Sequence, residues 1–129
     1  MKKIMFVCHG NICRSPMTEV IMKDLSRKAG VADCLYIDSS ATSNEETGNG
    51  IYPPAEYTLS MHDVPCEGHR AHRFTVEEYN SFDMVVVMED YNVRNLMRII
   101  GCDCGGKVWK LLDFVADEPQ RCAGADISD

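Results

Sequence analysis

No run of eighteen apolar residues occurs in this chain, which excludes a hydrophobic membrane-spanning helix. The N-terminal Met-Lys-Lys-Ile-Met-Phe-Val-Cys has the charge of a signal peptide. Its apolar run nevertheless ends at His9-Gly10-Asn11, too soon for an h-region, so neither export nor membrane attachment is expected. Basic residues are outnumbered, 13 Lys and Arg against 20 Asp and Glu, for a formal net charge of −7. That balance argues against nucleic acid held by bulk electrostatics, and any anionic ligand needs a locally positive site. The seven cysteines include no CxxC pair and no regular metal spacing. The one tight cluster, Cys102-Asp103-Cys104-Gly105-Gly106, lacks the second pair of ligands that a zinc site needs, and reads as a turn between a helix and a strand. No metal or other cofactor is expected, and free thiols fit a reducing, cytoplasmic setting. Repeats and linkers are missing too, so residues 1–129 read as a single domain. With 45% hydrophobic and 26% charged residues, the composition is that of an ordinary globular domain with one core.

What is present is concentrated in Val7-Cys8-His9-Gly10-Asn11-Ile12-Cys13-Arg14-Ser15-Pro16. The apolar run Ile4–Val7 before it reads as a buried strand, and Ser15-Pro16 reads as an N-cap and the first residue of a helix. The segment is therefore a strand-to-helix turn long enough to wrap a tetrahedral oxyanion. Backbone N–H groups of residues 9–14 would point inward, the helix N-terminus adds its positive end, and the Arg14 fork can hold two oxygens. Cys8 lies at the base, where those positive ends favour a thiolate. The plain alternative is a buried cysteine closing a strand. Gly10, placed where backbone must approach a ligand, and the helix start that follows favour the phosphate cradle.

Along the chain, Met17, Val20, Ile21, Leu25 and Ala29 share one helical face, and Gly30 closes that helix. Cys34–Ile37 reads as a second strand and 38–50 as a loop. Pro53-Pro54 opens a helix running to about His62, and Val64–Phe74 is irregular. Thr75-Val76-Glu77-Glu78 is a capping box for a short helix to about Asn80. Met84–Met88, apolar throughout, reads as a central strand buried on both faces. Asp90 is expected to cap a helix with Val93, Leu96, Met97 and Ile100 inward and Gly101 at its end. Val108–Leu112 reads as the last strand, and 113–129 as loop. Strands alternating with helices predict an α/β fold with a parallel, doubly wound sheet, whose ligands bind beyond the carboxyl ends of the strands. The Cys8 turn leaves such an end.

Phe-Val-Cys-His-Gly-Asn-Ile-Cys-Arg-Ser-Pro-Met resembles the signature of the low-molecular-weight protein tyrosine phosphatases. The resemblance continues through Ile37-Asp38-Ser39-Ser40-Ala41-Thr42-Ser43, Gly48-Asn49-Gly50-Ile51-Tyr52-Pro53-Pro54-Ala55 and Met88-Glu89-Asp90-Tyr91-Asn92, in the family's order. It implies a four-stranded, three-layer α/β/α fold of flavodoxin-like order and a cysteine-dependent hydrolase acting on phosphotyrosyl proteins, as a monomer or weak dimer. Cys8 would attack phosphorus to form a phosphocysteine, while His9, Gly10, Asn11, Ile12, Cys13, Arg14 and Ser15 hold the phosphate. The Ser15 hydroxyl would stabilise the leaving thiolate in the second step. The family's general acid lies in an Asp-Pro-aromatic-aromatic loop, which Asp129 approaches; the proline, the aromatics and the family's last helix are not in this sequence. Asp126 and Asp117 are weaker candidates for the acid.

The resemblance further implies an unusual backbone conformation at Asn11, braced by Ser39, with His69 and Glu89 extending the bracing. Cys13 matches a cysteine that can pair reversibly with the nucleophile; its plain reading is a small buried side chain. Where many members carry an aromatic at the substrate rim, this chain has Asn44-Glu45-Glu46-Thr47, so Asn44 and Glu45 are rim candidates and acidic peptides should be disfavoured. Three other readings stand beside the phosphatase. One is a phosphate-binding module with little turnover, should the acid be lacking. Another is an arsenate reductase, for which residues 89–100 lack the required cysteines. The third is a thiol redox protein, for which Cys8 and Cys13 are close in sequence but which leaves Arg14 unexplained.

Overall fold

The computed structural model describes residues 1–66, 68–114 and 125–127. In order, its elements are β1 (Lys2–Cys8), α1 (Arg14–Lys28), β2 (Leu35–Ala41), α2 (Pro53–Met61), α3 (Val76–Ser81), β3 (Met84–Val87), α4 (Asp90–Ile100) and β4 (Val108–Lys110). Short 3-10 turns occupy Ala32–Cys34 and Leu111–Phe114. The described strands form one four-stranded parallel sheet in the order β2-β1-β3-β4, as expected of a doubly wound α/β fold. Among the described residues no helix is long and apolar enough to cross a membrane.

Side chains of β1 alternate between two apolar layers. Met5 and Val7 join Val85 and Val87 against Phe74, Tyr79, Phe82 and Leu96, on the side of α3 and α4. Phe6 and Cys8 join Ile37, Val86 and Met88 on the other side, where Met22 of α1 packs. Burial on both faces explains why β1 and β3 read as unbroken apolar runs rather than alternating ones.

Several expected boundaries move. Strand β2 runs on to Ala41, because Phe6, Val7 and Cys8 pair with Ser39, Ser40 and Ala41 and pull these small residues out of the expected loop. Helix α1 starts at Arg14, so its N-cap is Cys13 and Ser15 lies inside the first turn. Pro16 is tolerated there because first-turn N–H groups have no partner within the helix. The buried residues of α1 include Ser15, Glu19 and Ser26, while Ile21 and Leu25, expected inward, are exposed. The N-cap of α4 is Glu89 rather than Asp90, and Leu111-Leu112 turn away from β4 instead of extending it. Cys102 and Cys104 form a disulfide, contrary to the expectation of free thiols throughout; the turn brings their Cα atoms to 5.4 Å.

The capping box at Thr75 forms as expected: Thr75 Oγ1 accepts from Glu78 N at 3.1 Å, and Thr75 N donates to Glu78 Oε1 at 3.1 Å. Thr75→Ala should lower the stability of the domain by about 1 kcal/mol, read as a shift in the urea midpoint at unchanged slope.

Candidate active site

The loop from Cys8 to Arg14 is built around one residue. Asn11 is fully buried and takes φ 59°, in the left-handed region that asparagine tolerates better than most side chains. Each of its polar groups is used. The backbone N–H donates to Cys8 Sγ at 3.3 Å, and the carbonyl accepts from His69 Nε2 at 2.6 Å. Nδ2 donates to Ser15 Oγ at 2.9 Å and Ser39 Oγ at 3.0 Å, while Oδ1 accepts from His72 N at 3.2 Å. The chain bends tightly at Asn11, so its N–H turns back onto the sulfur three residues earlier.

Cys8 Sγ also lies 3.1 Å from Ser15 Oγ. That oxygen accepts from Asn11 Nδ2, and its own proton has two acceptors within reach, the sulfur and, at 3.4 Å, the Ser40 carbonyl. The Asn11 N–H and the Ser15 hydroxyl thus flank Sγ, the two groups that could donate to it during a reaction. No side chain caps the N-terminus of α1 and no acidic residue occupies its first turn, so the amides there are left for a ligand. Cys8, His9, Gly10, Ile12, Cys13 and Arg14 line one cavity of about 410 Å³ with Glu45, Glu46 and Tyr52. A Cβ on Gly10 would stand 3.4 Å from Glu46 Cγ.

Among the described residues, the Ile127 carbonyl and Glu89 aim Arg14 along this cavity. Its Nη1 donates to the Ile127 carbonyl at 2.8 Å and pairs with Glu89 Oε1 at 3.1 Å, the side chain being 10% exposed. Glu89 thus orients the guanidinium; it does not extend the bracing from His69, as the resemblance implied. The Ile127 carbonyl is presented because residues 125–127 cross the end of β3, with Ile127 N donating to Met88 O at 2.7 Å. Asp126 anchors this segment, accepting from Asp90 N at 3.0 Å and Lys110 Nζ at 2.8 Å. The Lys110 ammonium holds the Asp126 carboxyl below the usual carboxylate range, which makes it a poor proton donor near neutrality. Asp117 and Asp129 lie outside the described residues.

Ser39 braces Asn11 as the resemblance implied, and its own hydroxyl donates to Glu19, a residue the sequence reading passed over. The available signal was an acidic residue one helical turn after Ser15 on the same face. Glu45 meets His9 at 3.0 Å and lines the cavity, whereas Asn44 is exposed and bonds to Thr47 beside it. The aromatic missing from the rim sequence is supplied by Tyr52, whose N–H donates to the Ile12 carbonyl at 2.7 Å. Tyr91 adds a ring 5.9 Å from that of His9. Cys13 packs beside Met17 and Cys66 against the apolar cluster of Val20, Ile51, Ala55 and Leu59.

Asn11→Ala should cost about 2 kcal/mol or more, because it strands buried hydroxyls and puts a Cβ without polar compensation at positive φ. Denaturant unfolding measures the loss, and an unchanged midpoint would mean that the loop holds its shape without this residue.

The family profile described as "Low molecular weight phosphotyrosine protein phosphatase" matches residues 3–129. The low molecular weight protein-tyrosine-phosphatase YfkJ of Bacillus subtilis is 31% identical over 117 residues, covering 91% of this chain and 75% of that protein. Its crystal structure superposes with a TM-score of 0.88 at 29% identity, over 100% of this chain and 77% of that one. The low molecular weight phosphotyrosine protein phosphatase of Sus scrofa is 38% identical over 97 residues, 75% of this chain and 61% of the pig protein. A structure of YwlE arginine phosphatase is also similar, with a TM-score of 0.83 at 25% identity, over 98% of this chain and 77% of that one. This chain belongs to the low molecular weight phosphotyrosine protein phosphatase family, hydrolases that depend on a cysteine.

Proposed function

We propose that this chain hydrolyses phosphotyrosine in proteins, and aryl phosphate monoesters generally, through a phosphocysteine on Cys8. One observation carries the reading: the Cys8 sulfur, met by a hydroxyl and a backbone N–H, shares a cavity with the Arg14 guanidinium and the start of α1. In the first step Sγ attacks phosphorus, the P–O bond to the aryl group breaks, and a general acid protonates the departing phenolate. Arg14 and the amides of residues 9–15 hold the equatorial oxygens as charge redistributes. In the second step water attacks the phosphocysteine, the former acid takes its proton, and the Ser15 hydroxyl stabilises the released thiolate. Asp129 is the acid that the family's pattern supports.

Ile12 and Tyr52 give the cavity an apolar side suited to a phenyl ring, and Glu45 and Glu46 make its rim acidic. Phosphotyrosyl peptides with basic flanks should therefore turn over faster than acidic ones. Cys8 and Cys34 are free thiols, and a nucleophile that works as a thiolate fits the reducing cytoplasm even with the Cys102–Cys104 disulfide; there the protein would act as a monomer or weak dimer.

The test is hydrolysis of para-nitrophenyl phosphate at mildly acidic pH. Cys8→Ser should abolish turnover. Arg14→Lys, which keeps the charge but loses the fork, should lower kcat by roughly a hundredfold or more. Asp129→Ala should slow release of poor leaving groups more than good ones. Activity equal to the parent in all three variants would end the assignment. Matched peptides carrying acidic or basic flanks, with phosphoarginine as a further arm, define the substrate. Equal rates on the two flanks would remove the acidic rim as a determinant, and faster turnover of phosphoarginine would replace the aryl reading.

A further inference from the structure

At the residue whose N–H holds Asn11, His72, three potential metal donors converge from separate parts of the fold. Asp38 stands in β2, Glu78 in α3, and His72 in the segment between α2 and α3; one ligand atom of each lies within 4.8 Å of the other two. All three are of intermediate burial. His72 Nε2 is 3.0 Å from Glu78 Oε2, and the ring also meets the backbone carbonyl of Arg70 and the charge of Asp38. The partners of this imidazole are thus acceptors. A ring so placed either carries a second proton or turns a lone pair onto a cation, with a carbonyl partner fixing its orientation.

The local charge balance favours a cation. Two carboxylates face at most one imidazolium; Asp38 Oδ1 accepts the Ser39 N–H at 2.8 Å, and the Glu19 carboxylate lines the same cavity as Asp38. The lysine and arginines that line the cavity beside Asp38 and His72 have other partners: Lys23 pairs with Glu19, Arg27 with Asp24, and Arg70 donates to the His69 carbonyl. Asp38 and His72 open onto a cavity of about 560 Å³, which gives an ion a way in and room for water ligands.

We propose that Asp38, His72 and Glu78 form a binding site for a divalent transition metal of the zinc class. One imidazole and two carboxylates are a mixed nitrogen and oxygen set that suits Zn2+, Co2+ or Ni2+ better than the all-oxygen shells of Ca2+ and Mg2+. Ligands about 2.1 Å from a shared ion stand roughly 3.4 Å apart in tetrahedral geometry, so side-chain rotations of about 1 Å close the site. The site stands independently of turnover at Cys8, although its histidine also holds Asn11 through the backbone N–H.

The test uses the full chain and Co2+, whose visible absorption reports its ligands. Calorimetry should show one equivalent that weakens at least about tenfold in His72→Gln and in Glu78→Gln. Glu78→Gln keeps the capping box, so that variant should fold even if the other does not. The absorption lost with either substitution should be that of nitrogen and oxygen ligation, without a sulfur charge-transfer band. No saturable binding, binding of equal strength in the parent and both folded variants, or a substitution-sensitive sulfur band would each overturn the proposal.

Discussion

The geometry of the Cys8 loop depends on a single asparagine held where side chains rarely go. Left-handed backbone at a buried position is costly unless its surroundings impose it, and at Asn11 they do so from four directions. The hydroxyls of Ser15 and Ser39, the ring of His69 and the backbone of His72 come from α1, β2 and the segment that leads to α3. The loop is therefore a property of the assembled sheet and helices, not of its own seven residues. A half-satisfied version of this network would leave several buried groups unpaired, which is why every polar atom of Asn11 is accounted for.

The same assembly explains the position of the site. Parallel strands present their carboxyl ends on one edge, and β1 and β3 both discharge their loops there. The Cys8 loop leaves β1, while Met88 and Glu89 leave β3, so Glu89 comes to face Arg14 across the strand ends. The 125–127 segment crosses at the same edge, tied by Asp126 to Lys110 at the end of β4 and to the first residue of α4.

Legibility in the sequence followed the local strength of each signal. Met84–Val87 and β1 were readable because burial on both faces demands continuous apolar runs. The capping box at Thr75 was readable because it is a four-residue chemical pattern. Ser39 and Ser40 carry no strand signal of their own, and only pairing with Phe6 and Val7 places them in β2. The inward face of α1 misled for a related reason: it feeds a polar network, so Ser15 and Glu19 occupy positions where apolar periodicity is the usual guide. The Cys8–Ser15 turn could be recognised from spacing and residue type. The role of Glu89 could not, since nothing in its neighbourhood in the chain indicates that Arg14 will arrive from 75 positions away.

The tail segment has a consequence for the guanidinium it touches. With Nη1 of Arg14 committed to the Ile127 carbonyl and the Glu89 carboxylate, the protein's own contacts hold the torsions of a long, flexible chain. The entropy of ordering that arm is thereby surrendered during folding, and an arriving dianion meets a preset electrode instead of a drifting one.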